Sequence, residues 1–367
     1  MKRSLALLAL VLAVSPAWGA DPPLYTGTST AAMPTAEADA FATPPALRET
    51  FRREVIDATR SPEARLRKLV EFVFDDRHLG VQYRAETTRT IAEVYATREV
   101  NCLSSTILIV ALARQAGLRA YGQQVDQILA WGANGDIAIQ SRHANAVVEI
   151  GDRRYVVDVD AREGIATRAP HQISDTQLLA LFHGNRAMEQ LVDGRLADAQ
   201  SSIDAALRLS PDDAALLNNA GVTALRTGDR SAALQFFQRA AARNPREMSV
   251  LSNLIAFYEA GDDEAQAAVW RARAARILRR DPYYQYALGR KLEIAGRYSE
   301  AAMQFRRAAR LNDNEHLFQF GLARTYAQLG DMRRATRALS YARALSEGAD
   351  RIRYGDKLAA LERRHTP

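Results

Sequence analysis

From Gly194 onward the chain repeats itself. Gly194, Gly228, Asp262, Gly296 and Gly330 stand 34 residues apart. Five residues beyond each lies an alanine: Ala199, Ala233, Ala267, Ala301 and Ala335. Twelve residues beyond each lies another: Ala206, Ala240, Ala274, Ala308 and Ala342. Between the two columns Ile203, Phe237, Phe305 and Leu339 hold a large apolar position that Arg271 interrupts, and Pro211 and Pro245 end their units. Apolar spacing after about residue 178 is three and four, with no alternation, so the segment reads as helical. Small residues at fixed intervals mark where paired helices cross closely, and the glycine marks the turn between them. Each pair buries one face only by stacking on the next, which restricts this half of the chain to a one-dimensional array. The third unit is degenerate: Asp262 follows Gly261, and Arg279 stands where a closing proline is expected.

This pattern resembles the tetratricopeptide family, over residues 180–349 in five units, with 350–367 as a capping helix and tail. The resemblance implies an all-α superhelix whose concave face binds a protein or peptide partner. A scaffold or dimerisation surface is the other use such an array can have.

The first residues read as an export leader. Met1-Lys2-Arg3 is a charged start, Leu5 to Val14 is almost wholly apolar, and Ser15-Pro16-Ala17-Trp18-Gly19-Ala20 is a small-residue cleavage zone. We therefore expect a signal peptide over 1–20, cut after Gly19 or Ala20, and a periplasmic or secreted bacterial protein. No cysteine lies near the cut, which excludes a lipid-anchored form, and no later apolar run is long enough for stable membrane insertion after cleavage. Residues 21–45, rich in Pro, Thr, Ala and Asp without periodicity, read as a flexible linker. The formal charge of +6 falls to +4 without Lys2 and Arg3, and its arginines are dispersed. Dispersed charge on an exported chain argues against nucleic acid as a partner.

Residues 46–178 have mixed character. Helical spacing predicts helices near 46–58 and 62–76, a short one over Thr90 to Thr97, and a strong one over Leu103 to Gln115 stopped by Gly117. Strand signals follow over Ala120 to Val125, His143 to Ile150 and Arg153 to Asp160. Gly151-Asp152 separates the last two as a two-residue hairpin turn. Cys102 is the only cysteine in the chain, so it has no internal disulfide partner. It stands at a helix start, where the dipole and free amides favour a thiolate. A buried, inert thiol is the competing reading. With Gly151-Asp152 as the turn, paired positions sum to 303. His143 then opposes Asp160 and Asn145 opposes Asp158. Alternation puts His143, Asn145, Val147 and Glu149 on one face together with Arg154, Val156, Asp158 and Asp160. Ala144, Ala146, Val148, Ile150, Tyr155, Val157 and Val159 form the other, apolar face. Both aspartates are candidates to orient His143, Asp160 directly and Asp158 diagonally.

Thr90-Ile91-Ala92-Glu93-Val94-Tyr95, Asn101-Cys102-Leu103-Ser104-Ser105 and His143 through Asp158 resemble the transglutaminase-like superfamily. That likeness covers about 88–160, with the helices from 46 included. It implies an α+β papain-like core of helices and a small antiparallel sheet over 46–178. It also implies Cys102 as nucleophile, His143 as base and Asp158 as the orienting acid, with Asp160 as the alternate. The Cys102 backbone amide would form part of an oxyanion site, and Tyr95, Asn101, Trp131 and Asn145 are candidates for a further donor or for the pocket wall. Val100, Asn145 and Arg154 depart from the family pattern two before the cysteine, two after the histidine and four before the acid. The pairing of such a core with a repeat array resembles a group of exported bacterial proteins. The implied activity is thiol-dependent acyl transfer, as a cysteine peptidase, amidase or cross-linking enzyme. The alternative is a non-catalytic periplasmic adaptor with a degenerate core. His78, His171, His183, His316 and His365 are scattered without ligand spacing, and no phosphate loop or dinucleotide fingerprint is present. No metal and no cofactor are expected.

Overall fold

Helix starts in the N-terminal half are fixed by short polar side chains. Helix α1 (Pro45–Phe51) runs into a π turn over Arg52–Ile56. Ser61 caps α2 (Pro62–Phe74), and Thr90 with Glu93 forms a reciprocal capping box on α3 (Ile91–Thr97). Asn101 caps α4 (Cys102–Gln115), and Ser174 caps α5 (Asp175–Val192). The computed structural model describes residues 10–14, 38–131, 138–159, 165–166 and 170–363.

Helix α4 is buried almost all round, from Leu103 through Ala113, as its nearly unbroken apolar sequence requires. It lies at the centre of one core with Ala144, Ala146, Val148, Val157 and Val159. Each fully buried leucine or isoleucine there contributes roughly 1.5–3 kcal/mol relative to exposure. The sheet comprises β1 (Leu10–Val14), β4 (Arg119–Trp131), β5 (Ala138–Ile150), β6 (Arg153–Asp158), β7 (Ile165–Ala166) and β8 (His171–Ile173). Its order is β1-β6-β5-β4-β7, with β8 also pairing β4. A separate parallel pair joins β2 (Gln82–Tyr83) to β3 (Glu99–Val100).

The hairpin register is the one the turn predicts, Ile150 opposite Arg153 and Ala146 opposite Val157. Gly151 sits at φ 57°, a conformation that suits glycine in so tight a connection. The two-residue strands β2, β3 and β7 and the three-residue β8 are too short to leave a pattern in the sequence. Part of the stretch read as an export leader, Leu10–Val14, runs antiparallel along β6, with Leu10 opposite Asp158. An apolar segment there covers an otherwise open strand edge. The stretch read as a flexible linker is structured at its end. Ala38–Phe41 forms a 3-10 turn, Ala40 is buried and Phe41 packs on the core. Residues 15–37 lie outside the described set.

The chain divides into two compact units, residues 1–127 with 141–257 and residues 128–140 with 258–367. In the first, α5 packs on α6 (Leu196–Leu209) and α7 (Ala214–Arg226) on α8 (Arg230–Arg243), followed by most of α9 (Met248–Glu259). The second holds α10 (Glu264–Leu278), α11 (Pro282–Ile294) packed on α12 (Tyr298–Leu311), α13 (His316–Gln328) packed on α14 (Met332–Leu345), and α15 (Gly348–Arg363) against α14. This is the helical repeat expected from the 34-residue period. Both alanine columns are buried throughout. Where Phe237 and Phe305 fill the large position, the facing residues are Gly221 and Gly289. A Cβ on either would come within 2.4 Å and 2.7 Å of those rings. The turn glycines sit at φ 74–90°, and Asp262 adopts the same left-handed region at φ 56°. Arg271, at the degenerate large position, is ion-paired with Glu259 and Glu264 instead of buried.

Candidate active site

Asn101 builds the end of the helix on which the thiol stands. Its Oδ1 accepts from the Ser104 amide at 2.8 Å, and its carbonyl accepts from the Ser105 amide at 2.9 Å. Its Nδ2 donates to Thr88 Oγ1 at 2.8 Å. Cys102 is therefore the first residue of α4, at the positive end of the helix, and is neither fully buried nor fully exposed.

The hairpin supplies the partners. Asn145 and Asp158 stand opposite each other in register, and His143 lies two residues before Asn145 on the same face. His143 is 4 % exposed. A carboxylate only accepts, so His143 Nε2 donates to Asp158 Oδ2, at 2.7 Å. Nδ1 is the ring's other nitrogen, and the Cys102 side chain interacts with the same ring. Burial disfavours the charged ring, but its interactions with Asp158 and Cys102 outweigh it and push His143 up to about 10. The structure thus brings Cys102, His143 and Asp158 together, in an order that fixes the imidazole between thiol and acid.

A second layer holds the acid. Asn145 Nδ2 donates to Asp158 Oδ2 at 3.3 Å, and Gln123 Nε2 on β4 donates to Asn145 Oδ1 at 3.3 Å. Asn145 is 6 % exposed. Its side chain binds the carboxylate and Gln123. Asn101 is likewise engaged in capping and in Thr88. Tyr95 packs against the core, with the Arg98 guanidinium 4.9 Å from its ring centroid, which is a packing role. Trp131 ends β4 and its side chain lies outside the described residues, as does Asp160 altogether. Of the departures from the family pattern, Val100 is a buried core residue and Arg154 is exposed beside Glu149 at 3.5 Å.

Sequence reasoning missed Gln123 and Thr88. Gln123 is one polar residue on an alternating strand, and its partner is 22 residues away. Thr88 lies in an unpatterned stretch, and the amide that it donates reaches Glu189, 101 residues on. Neither has a signal in the sequence short of knowing the sheet order and the helix packing.

Among the described residues, no cluster of three or more His, Cys, Asp or Glu is placed to hold a metal ion. Among the same residues, no helix is long and apolar enough to cross a membrane.

No family profile and no curated protein matches the chain. Solved structures do. MamA from MSR-1 is 20% identical over 45% of this chain and 95% of its own, with a TM-score of 0.24. YrrB, described as a TPR protein with an unusual peptide-binding site, is 20% identical over 49% of this chain and 92% of its own, with a TM-score of 0.25. A tetratricopeptide repeat protein from Parabacteroides merdae ATCC 43184 is 18% identical over 50% of this chain and 73% of its own, with a TM-score of 0.27.

Proposed function

We propose that the chain is an exported thiol-dependent acyl-transfer enzyme whose helical array recruits a protein substrate or partner. The observation that carries this reading is the single imidazole shared by Cys102 and Asp158. An imidazole held between a helix-start thiol and an acid is poised to take the proton of the sulfur for attack on an amide. The sulfur adds to the carbonyl carbon, and the Cys102 backbone amide supports the developing oxyanion. His143 gives its proton to the leaving nitrogen as the C–N bond breaks, and a thioester on Cys102 remains. Water, deprotonated by His143, then releases the acid and restores the thiol. An amine in place of water would give a new amide. Hydrolysis is the preferred outcome, in a core of transglutaminase-like type.

A second reading has its own support. Asn101 and Asn145 are both otherwise engaged, which leaves the site without a side-chain amide as oxyanion donor. A core without that donor suits a non-catalytic periplasmic adaptor in which the array does the binding.

Incubating the mature protein with a quenched fluorescent protein substrate, with and without an added primary amine, separates these readings. Release of fluorescence that disappears in Cys102→Ala supports hydrolysis, and incorporation of the amine supports cross-linking. Neither product, together with labelling of Cys102 by iodoacetamide at pH 6 no faster than free cysteine, rejects the enzyme. Partner capture that Cys102→Ala leaves intact would then stand for the adaptor.

A further inference from the structure

Thr88 is fully buried, and every polar group it carries is tied to one of two helices. Its hydroxyl accepts from Asn101 Nδ2 at 2.8 Å, the amide that completes the cap next to Cys102. Its backbone N–H donates to Glu189 Oε1 on α5 at 2.8 Å. Asn185 and Arg186, on the same face of α5, add contacts at 3.4 Å to the Thr88 hydroxyl and carbonyl. One residue on, the Arg89 amide donates to Ser104 Oγ in the first turn of α4 at 2.7 Å. Arg186 also binds Glu93 at 3.0 Å, the residue that closes the capping box of α3. The segment before the thiol helix is therefore clamped from one side by the cap of α4. From the other side it is clamped by the helix that opens the repeat array.

We propose that Glu189 and Thr88 are positioning residues for the thiol: α5 holds Thr88, Thr88 holds the Asn101 cap, and the cap presents Cys102 to His143. This rests on the thiol-enzyme reading and extends it. The first helix of the array is part of the site, not only a handle for a substrate. An unmade hydrogen bond at Thr88 frees the Asn101 amide to turn, and the first turn of α4 loses the cap that fixes where the sulfur points. The Glu189 carboxylate is half-buried, and burial raises its pKa in spite of the hydrogen bond from the Thr88 amide. Such a group is costly to leave without its partners.

The test is the second-order rate of Cys102 carbamidomethylation by iodoacetamide at pH 7 in the full-length protein, read with the thermal midpoint of each variant. Thr88→Val keeps the shape and removes the hydroxyl, and Glu189→Ala removes the carboxylate from a partly exposed position. Loss of a cap interaction on this scale predicts about tenfold slower labelling in both. Thr88→Ser keeps the hydroxyl and is expected within about twofold of wild type. Gly221→Ala, a destabilising change inside the array, serves as the control and is expected to label at the wild-type rate. Folded Thr88→Val and Glu189→Ala proteins that label as fast as a fast wild type overturn the inference. Equal slowing in Gly221→Ala overturns it too, since general loosening would then explain the effect. Should Thr88→Val fail to fold, Glu189→Ala decides alone. A wild-type thiol no faster than free cysteine is a different result: it removes the enzyme reading and this inference with it.

Discussion

Replacing Asp158 by asparagine removes a charge while keeping the size and shape of the side chain. Asp158 Oδ2 accepts from two donors, His143 Nε2 at 2.7 Å and Asn145 Nδ2 at 3.3 Å. An amide oxygen in the same place accepts both, so the hydrogen bonds survive. What is lost is the negative charge beside a ring whose side chain is 5 % exposed. An opposite charge at this range moves a pKa by about 1–3 units, equivalent to about 1–4 kcal/mol. Burial already opposes the imidazolium, and in Asp158→Asn only Cys102 would oppose burial. The His143 ring should therefore titrate roughly 1–3 units below its value of about 10. Histidine-selective NMR, with His143→Gln to assign the resonance, reads this directly. Stability follows with a definite sign. The native ring lies above its ordinary 6.5, so its contribution is complete below that pH and is lost as pH rises toward about 10. Urea titrations at several pH values should show Asp158→Asn less stable than wild type by about 1–4 kcal/mol near neutrality. The gap should narrow as the pH approaches the native value. Two outcomes refute the reasoning: an unchanged His143 titration in the variant, or parallel stability curves for both proteins across that window. Either would mean that the charge holding the ring is not that of Asp158.

Three further changes test the packing. Gly221→Ala places a Cβ 2.4 Å from the fully buried Phe237 ring, and overpacking of about 1–3 kcal/mol should exceed the helix-propensity gain of about 1 kcal/mol. A thermal midpoint at or above wild type would contradict that. Asp262→Gly relieves a left-handed non-glycine residue at a position where four other units carry glycine, and should stabilise by about 1 kcal/mol in a denaturant titration. Ser105 Oγ is buried with no hydrogen-bond partner. Ser105→Ala should therefore stabilise by about 1 kcal/mol, read as a higher urea midpoint, and a fall would show that the hydroxyl has a role.

Much of the site was legible because it is periodic. The turn at Gly151-Asp152 fixes which residues of the hairpin face each other, and the register observed is that one. Alternation then separates His143 and Asp158 from Ala144, Ala146 and Val157 without any knowledge of the rest of the chain. The same logic made the array visible, since columns such as Ala199 to Ala335 repeat a packing constraint once per unit. Illegible were contacts between elements whose spacing obeys no rule. Gln123 reaches Asn145 only because β4 lies beside β5. Asn145 was read from its type as a pocket residue, although its position opposite Asp158 already placed its amide on the acid. The short strands β2 and β3 hold the segment before Cys102 in place with two pairs of residues, too few to bear a pattern.

The helix α5 shows why the two halves of the sequence are not two independent parts. Its spacing belongs to the array, and one of its faces packs there: Ala180 and Ala187 are buried with Ile203, Ala206, Leu216 and Ala220. Another face contributes Leu178, Leu179 and Phe182 to the core around α4. Gly122 of β4 is glycine because a Cβ there would lie 2.7 Å from Leu178. A third edge carries Asn185, Arg186 and Glu189 toward Thr88. Burying three large apolar side chains at roughly 1.5–3 kcal/mol each is comparable with the net stability of a whole domain. The core around the thiol therefore depends on a helix that a repeat pattern alone assigns elsewhere. The same rigid element that begins the stack of helix pairs also anchors the cap of the thiol helix. A cut between sheet and array removes a wall of the core.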